Sequence, residues 1–352
     1  MKADNPFTLA FGRRPEKYIE RYADTAEIVS TFSADHVISQ TYLISGVRGS
    51  GKTVLMTSVV KELTETGKWI SVDLNSSQDL LEDMALRLQD ACARSRDLSD
   101  TDVEISFAGF GVGLYGGRSE KDSVSRIEEI LEKLKKKGKR VVITVDEVSQ
   151  NAGMRVFASQ FQIFVRKEYP VYLIMTGLYE NLYAIQNDPK LTFLLRSPKI
   201  VLSPLSLLQI ANEYGSIFAI SKEDACKLAA VTKGYAFAFQ ALGLLYWEYR
   251  ENCTMDEILN KLDAMLDDFV YRKIWEGLTR IDRKIVAAMT GPGSFSVKEI
   301  RESTGITPQS FSSFRKKLLE RGIVTSTGHG LLELALPRFG IAVESYVTFD
   351  EM

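Results

Sequence analysis

The stretch TYLISGVRGSGKTVLM, residues 41–56, decides how the rest of the chain is read. Residues 41–45 have the length and apolar bias of a short buried strand. KTVLMTSVVKELTETG follows, with apolar residues at helical spacing and Gly67 placed as a stop. Between strand and helix, Gly46, Gly51, Lys52 and Thr53 satisfy G-x-x-x-x-G-K-[ST]. The chemistry accounts for the residue types. A loop of Gly46, Val47, Arg48, Gly49, Ser50 and Gly51 can curl until several backbone N–H groups face a phosphate chain, and the helix beyond adds its positive end. Lys52 is expected to reach the β- and γ-phosphates, and the Thr53 hydroxyl to ligate Mg²⁺.

A second strand must carry a carboxylate toward that ion. RVVITVDEV (140–148) fits, because its apolar run ends in Asp146 and Glu147. Ligands bind at the carboxyl ends of strands in open parallel sheets. Asp146 is the expected second Mg²⁺ contact, and Glu147 the expected general base on the attacking water. KWISVDL (68–74) and VYLIMTGL (171–178) read as further strands, alternating with helical stretches. That alternation predicts an α/β core with a parallel sheet and helices on both faces.

The bulk properties fit a large core. The 352 residues suggest two or three domains at about 150 residues each. The chain is 45% hydrophobic and 26% charged, and its net charge of −2 argues against coating nucleic acid over the whole surface while leaving room for a local basic element. Cys92, Cys226 and Cys253 are far apart, and His36 and His329 are the only histidines, so a disulfide framework, structural zinc and a Ser-His-Asp hydrolase are all disfavoured. No apolar run suits a membrane span and the N-terminus lacks a signal-peptide core, so a cytoplasmic protein without membrane partners is expected.

From about residue 206 to 280 only helical segments appear. The last unit reads as three short helices, IDRKIVAAMTG, SVKEIRESTG and TPQSFSSFRKKLLERG, then two strands joined at Gly328–Gly330. That order is a winged helix-turn-helix. Its second motif helix would be capped by Thr307 with Pro308 in the first turn, and Phe311, Phe314 and Leu318 would face the core. Gln309, Ser310, Ser312, Ser313, Arg315 and Lys316 would then face solvent, with residue types suited to base edges and phosphates of double-stranded DNA. Four cations (Arg315, Lys316, Lys317, Arg321) oppose one acid (Glu320) on this helix, yet from Asp282 onward nine basic residues oppose eight acidic ones. Docking to a protein, or within the chain, therefore stays open as the alternative. GVGLYG (111–116) matches a dinucleotide fingerprint but opens no helix, and reads as a Gly-rich insertion.

With these motifs in place, the chain resembles AAA+/STAND P-loop ATPases, in particular prokaryotic ATP-binding proteins akin to archaeal ATPases and replication-initiator ATPases, over nearly its whole length. The resemblance implies ATP or ADP as ligand. NPFTLAFGRRPEKYIERYADTAEI (5–28) is similar to the segment that packs on adenine, which implies that role for Ile19 and Arg21, with Glu20 where glycine is usual. LIMTGL (173–178) is similar to the sensor strand and implies that Thr176 watches the γ-phosphate. LLRSPKIVLSPLS (194–206) places Arg196 at the position of an arginine that can reach a neighbouring subunit's nucleotide; a structural ion pair or a surface arginine is the other reading. TKGYAFAFQALG (232–243) resembles the lid motif, which puts Tyr235 on the nucleotide side and Ala236 where proline is usual. The lid arginine of initiator-type relatives is absent from this stretch.

These readings imply a P-loop core over residues 1–205, a helical lid over 206–280 and a winged helix over 281–352. The expected function is a Mg²⁺-dependent ATPase that couples nucleotide state to the winged helix and acts on DNA. The alternative is a slow STAND-type switch that binds a protein partner or a second copy of itself. A P-loop kinase is a third class, disfavoured by the Asp146–Glu147 pair and the large C-terminal module.

Overall fold

Strands that are apolar along their whole length can only be satisfied between two covered faces. In the computed structural model, which describes residues 4–10, 15–94 and 120–350, TYLIS and VYLIMTG are indeed buried at every position. They belong to a five-stranded sheet in which every pairing is parallel: β1 (Thr41–Ser45), β2 (Trp69–Leu74), β3 (Arg140–Val145), β4 (Val171–Gly177) and β5 (Lys199–Val201), in the order β2-β3-β4-β1-β5. The intervening helices are α1 (Tyr22–Ser33), α2 (Lys52–Glu65), α3 (Leu80–Arg94), α4 (Glu120–Lys136), α5 (Ala152–Arg166) and α6 (Tyr179–Gln186).

One core cluster joins the sheet to α3, α4 and α5 through Leu43, Ile143, Leu173, Leu88, Ile127 and Phe157. On another surface Phe32, Tyr42, Trp69 and Tyr172 form an aromatic cluster, edge to face in Phe32–Tyr42 and Trp69–Tyr172 and stacked in Phe32–Trp69, with the Arg140 guanidinium over the rings of Trp69 and Tyr172. The strand order sets β4 between β1 and β3. The register aligns Ser45 with Gly177 and Val145 with Met175, so β1 and β4 end level and β3 ends two residues earlier.

The chain divides into two compact units: residues 22–45 with 52–201, which hold the sheet, and residues 1–21, 46–51 and 202–352. The second unit is helical from α7 (Leu207–Phe218) through α8 (Lys222–Val231), α9 (Ala236–Tyr249) and α10 (Met255–Leu266), which runs through a π-helical turn (Asp267–Tyr271) into α11 (Arg272–Glu276). Phe7 of the N-terminal segment packs among Tyr214, Phe218 and Phe239 of this unit. A Cβ on Gly243 would lie 2.5 Å from the Phe7 ring, which is why that helical position carries glycine.

The C-terminal part runs α12 (Arg280–Ala287), β6 (Phe295–Ser296), α13 (Val297–Thr304), α14 (Pro308–Glu320), β7 (Val324–Gly328), β8 (Leu331–Leu334) and α15 (Phe339–Asp350). Its three strands pair antiparallel in the order β6-β8-β7, which is the helix–strand–helix–helix–strand–strand order of a winged helix. The two-residue β6 and the final α15 lay outside the sequence reading. The Gly-rich stretch 111–116 lies outside the described residues. Among those residues no helix is long and apolar enough to cross a membrane.

Candidate functional site

The phosphate loop leaves β1 at Ser45 and ends where α2 begins, at Lys52. Gly49 and Gly51 have φ of +75° and +92°, a region that favours glycine. The Ser50 amide donates to the Val47 carbonyl over 3.2 Å, closing the turn. A Cβ on Gly46 would lie 2.5 Å from Ser50 Oγ, so the first glycine of the motif is also fixed by space. Lys52, the first residue of α2, is buried to 8% exposure. Ser50 Oγ is buried with no hydrogen-bond partner, an orphan of the kind a bound oxyanion satisfies.

The sheet unit assembles the carboxylate end. Thr53 Oγ1 donates to Asp146 Oδ2 over 2.7 Å. The Thr176 hydroxyl donates to Asp146 Oδ1, which also accepts the Glu147 amide at 3.0 Å. Thr176 is fully buried on β4, so its hydroxyl orients the Asp146 carboxylate. Glu147 adopts φ +48°, an uncommon conformation for a non-glycine residue, and its side chain is exposed. The next amide, Val148 N, donates to the Thr176 carbonyl over 2.9 Å and ties the turn back to β4. A hydroxyl and a carboxylate this close form a hard oxygen donor set. It suits Mg²⁺, which takes one or two protein oxygens and fills its octahedron with water and phosphate.

The second unit holds the loop through its backbone. The Tyr235 hydroxyl donates to the Arg48 carbonyl, and the Phe237 amide donates to the Gly49 carbonyl over 3.1 Å. A Cβ on Gly49 would meet Tyr235 Oη at 2.4 Å, so the loop and the tyrosine are fitted to each other. Burial pushes the Tyr235 phenol far above its ordinary range, so it stays a neutral donor. Arg21 Nη2 donates to the Ser203 carbonyl over 2.7 Å and lies 3.4 Å from that of Ser50. Ile19 is buried, 9% exposed, in the same core as Phe7 and Tyr235.

Arg196 ends a 3₁₀ turn (Thr192–Arg196) and is exposed. It makes no hydrogen bond or ion pair with the described residues, so the structural ion pair is not found.

On α14, Gln309, Ser310, Ser312, Ser313 and Lys316 are exposed as the periodicity predicts, and Phe311 and Leu318 are buried. Arg315 corrects the reading: it is half-buried, and its Nε is enclosed without a partner. The helix's charge is corrected too. Lys317 Nζ and Arg321 Nη1 lie 3.4 and 3.7 Å from Asp282 Oδ2, and Asp282 is fully buried. Sequence reasoning missed Asp282, although Thr279 followed three residues later by an acid before an apolar run is a capping-box signal. Asp188 was missed as well. It accepts from the Lys190 amide, Arg155 Nε at 2.5 Å and Gln150 Nε2 at 3.0 Å, which together bring its carboxyl down to about 2.

A strand–loop–helix that carries G-x-x-x-x-G-K-T, in a sheet of order β2-β3-β4-β1-β5 whose β3 ends in a carboxylate pair, defines a P-loop ATPase core of the AAA+ kind. Residues 31–177 match the ATPase domain found predominantly in Archaea, which agrees with an ATP-hydrolysing core. Residues 268–341 match a domain of unknown function. No curated protein matches the chain in sequence. Among solved structures, a Walker-type ATPase of Pyrococcus abyssi superposes with a TM-score of 0.65 at 12% identity, covering 96% of this chain and 99% of the other. The ORC2 protein of Aeropyrum pernix, solved in ADPNP–ADP complexes, gives 0.59 at 14% identity and 97% of each chain. At these identities the likeness is one of fold.

Proposed function

We propose that the protein is a Mg²⁺-dependent ATPase whose nucleotide state is read by the helical lid and passed to the winged helix, which engages double-stranded DNA through α14. The observation that carries the reading is the pair of hydrogen bonds from Tyr235 and Phe237 to the Arg48 and Gly49 carbonyls. They fasten the loop that meets the phosphates to the part of the chain that contains the winged helix, so a shift of the loop cannot leave the lid unaffected.

Each residue then has a role. The loop amides and Lys52 hold the phosphates, and the orphaned Ser50 hydroxyl gains a partner there. Thr53 and Asp146 would hold Mg²⁺, which when bound would neutralise phosphate charge. Glu147, exposed at the strand end, accepts a proton from the attacking water. Thr176 acts through Asp146, keeping one carboxylate oxygen engaged while the other faces Thr53. Arg196, exposed and unpaired, is available to a nucleotide held by a second copy.

The test is ATP hydrolysis by the full chain with and without duplex DNA, with Glu147→Gln as control. Stimulation by DNA that vanishes in the control supports the reading; a rate indifferent to DNA overturns its DNA half. One observation favours a second reading, a slow nucleotide switch for a protein partner. With Lys317 and Arg321 drawn to Asp282, α14 presents Lys316 as its only fully exposed cation. A change in assembly size on adding ATP, without DNA, would select that reading.

A further inference from the structure

The ends of the strands opposite Asp146 carry a concentration of charge that the nucleotide site does not use. Three turns lie side by side there. The Arg140 amide donates to the Lys68 carbonyl over 2.9 Å, and Lys139 Nζ to the Gly67 carbonyl over 2.8 Å. The Val141 amide donates to the Pro170 carbonyl over 2.8 Å. The turns that precede β2, β3 and β4 therefore form one surface, about 20 Å from the carboxyl ends of those six- and seven-residue strands.

Across residues 65–68, 128–140 and 166–170 there are nine basic and five acidic residues, a net of +4 in a chain whose total is −2. Three of the lysines have a carboxylate beside them, Lys133 with Glu129 at 3.1 Å, Lys136 with Glu132 at 3.9 Å and Lys167 with Glu128 at 2.6 Å. Arg140 is turned inward onto Trp69, Tyr172 and the Phe32 carbonyl. The outward charge is carried by Lys68, Lys135, Lys137, Lys139 and Arg166, all exposed except the half-buried Lys139, whose hydrogen bond to a carbonyl leaves its charge intact. One or two cations would suffice to complement the C-terminal dipole of α4. Five across three separate turns do not follow from helix capping.

We propose that this face of the ATPase core binds the phosphate backbone of double-stranded nucleic acid without reading its sequence. The cations are mostly lysines on mobile stems, which act as point charges toward phosphate. None of the aromatic residues that are exposed, Tyr22, Tyr183 and Phe269, belongs to these turns, so the face lacks the stacking platforms that single strands require. The inference does not rest on the winged helix, because every residue it uses belongs to the sheet unit.

The experiment measures anisotropy of a fluorescent duplex of arbitrary sequence against the full chain, between about 50 and 200 mM salt. The variants are Lys135→Ala/Lys136→Ala/Lys137→Ala and, separately, Lys316→Ala on α14. Each phosphate contact contributes about 0.9 to the slope of log affinity against log salt, so the triple variant should lose up to about 2.7 of that slope. Its affinity at about 0.1 M salt should fall on the order of a hundredfold, equally for unrelated duplex sequences. Mg-ATP affinity and melting temperature should stay at wild-type values, since the three side chains are exposed. A single Lys137→Gln, with the slope lower by about 0.9, repeats the test with a milder change. An unchanged slope in the triple variant overturns the proposal. So does a wild-type protein that ignores duplex but binds phosphatidylserine vesicles through the same lysines. Loss of binding in Lys316→Ala alone would place the contact on α14 and also overturn it.

Discussion

Gly49→Ala tests whether the phosphate loop and the lid tyrosine act as one device. Gly49 sits at φ +75°, and an alanine there costs about 1–2 kcal/mol in backbone strain alone. The new Cβ would also stand 2.4 Å from Tyr235 Oη and 3.1 Å from Tyr235 Cζ, so the hydroxyl must leave the Arg48 carbonyl. Losing that bond adds about 1 kcal/mol. Together the terms give about 2–3 kcal/mol, or roughly 30- to 150-fold in affinity if all of it appears in nucleotide binding. Tyr235→Phe removes the hydroxyl directly and should cost about 1 kcal/mol. In that background Gly49→Ala has no hydroxyl to displace, and only the strain remains. The double variant should therefore be better than additive by about 1 kcal/mol. Titration calorimetry with Mg-ATP on the four proteins of the cycle reads this directly. Additivity to within about 0.3 kcal/mol would show that the tyrosine bond contributes nothing to the bound loop.

Three further outcomes are expected. Arg196→Ala should leave Mg-ATP affinity within about twofold and lower turnover by about a hundredfold or more at concentrations where copies associate; equal rates for variant and wild type at all concentrations would refute a role in trans. Asp188→Asn should lower the melting temperature by a constant amount above about pH 4. Because the folded-state pKa of Asp188, about 2, lies below its unfolded value, its contribution is lost as pH falls toward 2, and the gap should close there. Asp282→Asn should destabilise by about 3 kcal/mol, since it leaves Lys317 and Arg321 beside a buried group without charge, and denaturant unfolding measures it.

Much of this was legible in the chain because its decisive features are local. A phosphate loop announces itself by spacing, and its glycines are where positive φ and close approach require them, at Gly46, Gly49 and Gly51. Strands buried on both faces read as apolar runs, so β1 and β4 were found to within a residue, while β3 ends at Val145, three residues short of the expected end. The order β2-β3-β4-β1-β5 was not derivable from those runs, since pairing is decided by contacts distant in sequence. Side-chain direction was the other loss. Arg315 follows the solvent-facing period of α14 yet is half-buried, and Lys317 and Arg321 are drawn to an acid 35 and 39 residues earlier. No helical period encodes that. The basic end of α4 is plain in the sequence, and helix-dipole complementation alone could account for it; only the pairing of β2, β3 and β4 sets it beside two other turns.

The distribution of cations bears on how a nucleic acid could be recognised. Affinity for a duplex comes mainly from neutralised phosphates, whereas discrimination comes from base edges. On α14 the exposed side chains include Gln309, Ser310, Ser312, Ser313 and Lys316, which offer hydrogen bonds and one exposed cation, itself 3.9 Å from Glu320. On the core face the reverse holds, with five outward cations. Substitutions at the lysines should then change the salt dependence for every duplex alike, and substitutions at Gln309 or Ser313 should change the ranking of duplexes at constant slope. Asp282 sets this division within α14, because it withholds two of the helix's four cations from solvent. Asp282→Asn therefore has a second readout. If the released Lys317 and Arg321 reach phosphate, the salt slope should steepen by up to about 1.8 even as the protein melts earlier. A variant that melts earlier with its slope unchanged would show that those two side chains hold the winged helix together and have no route to a duplex.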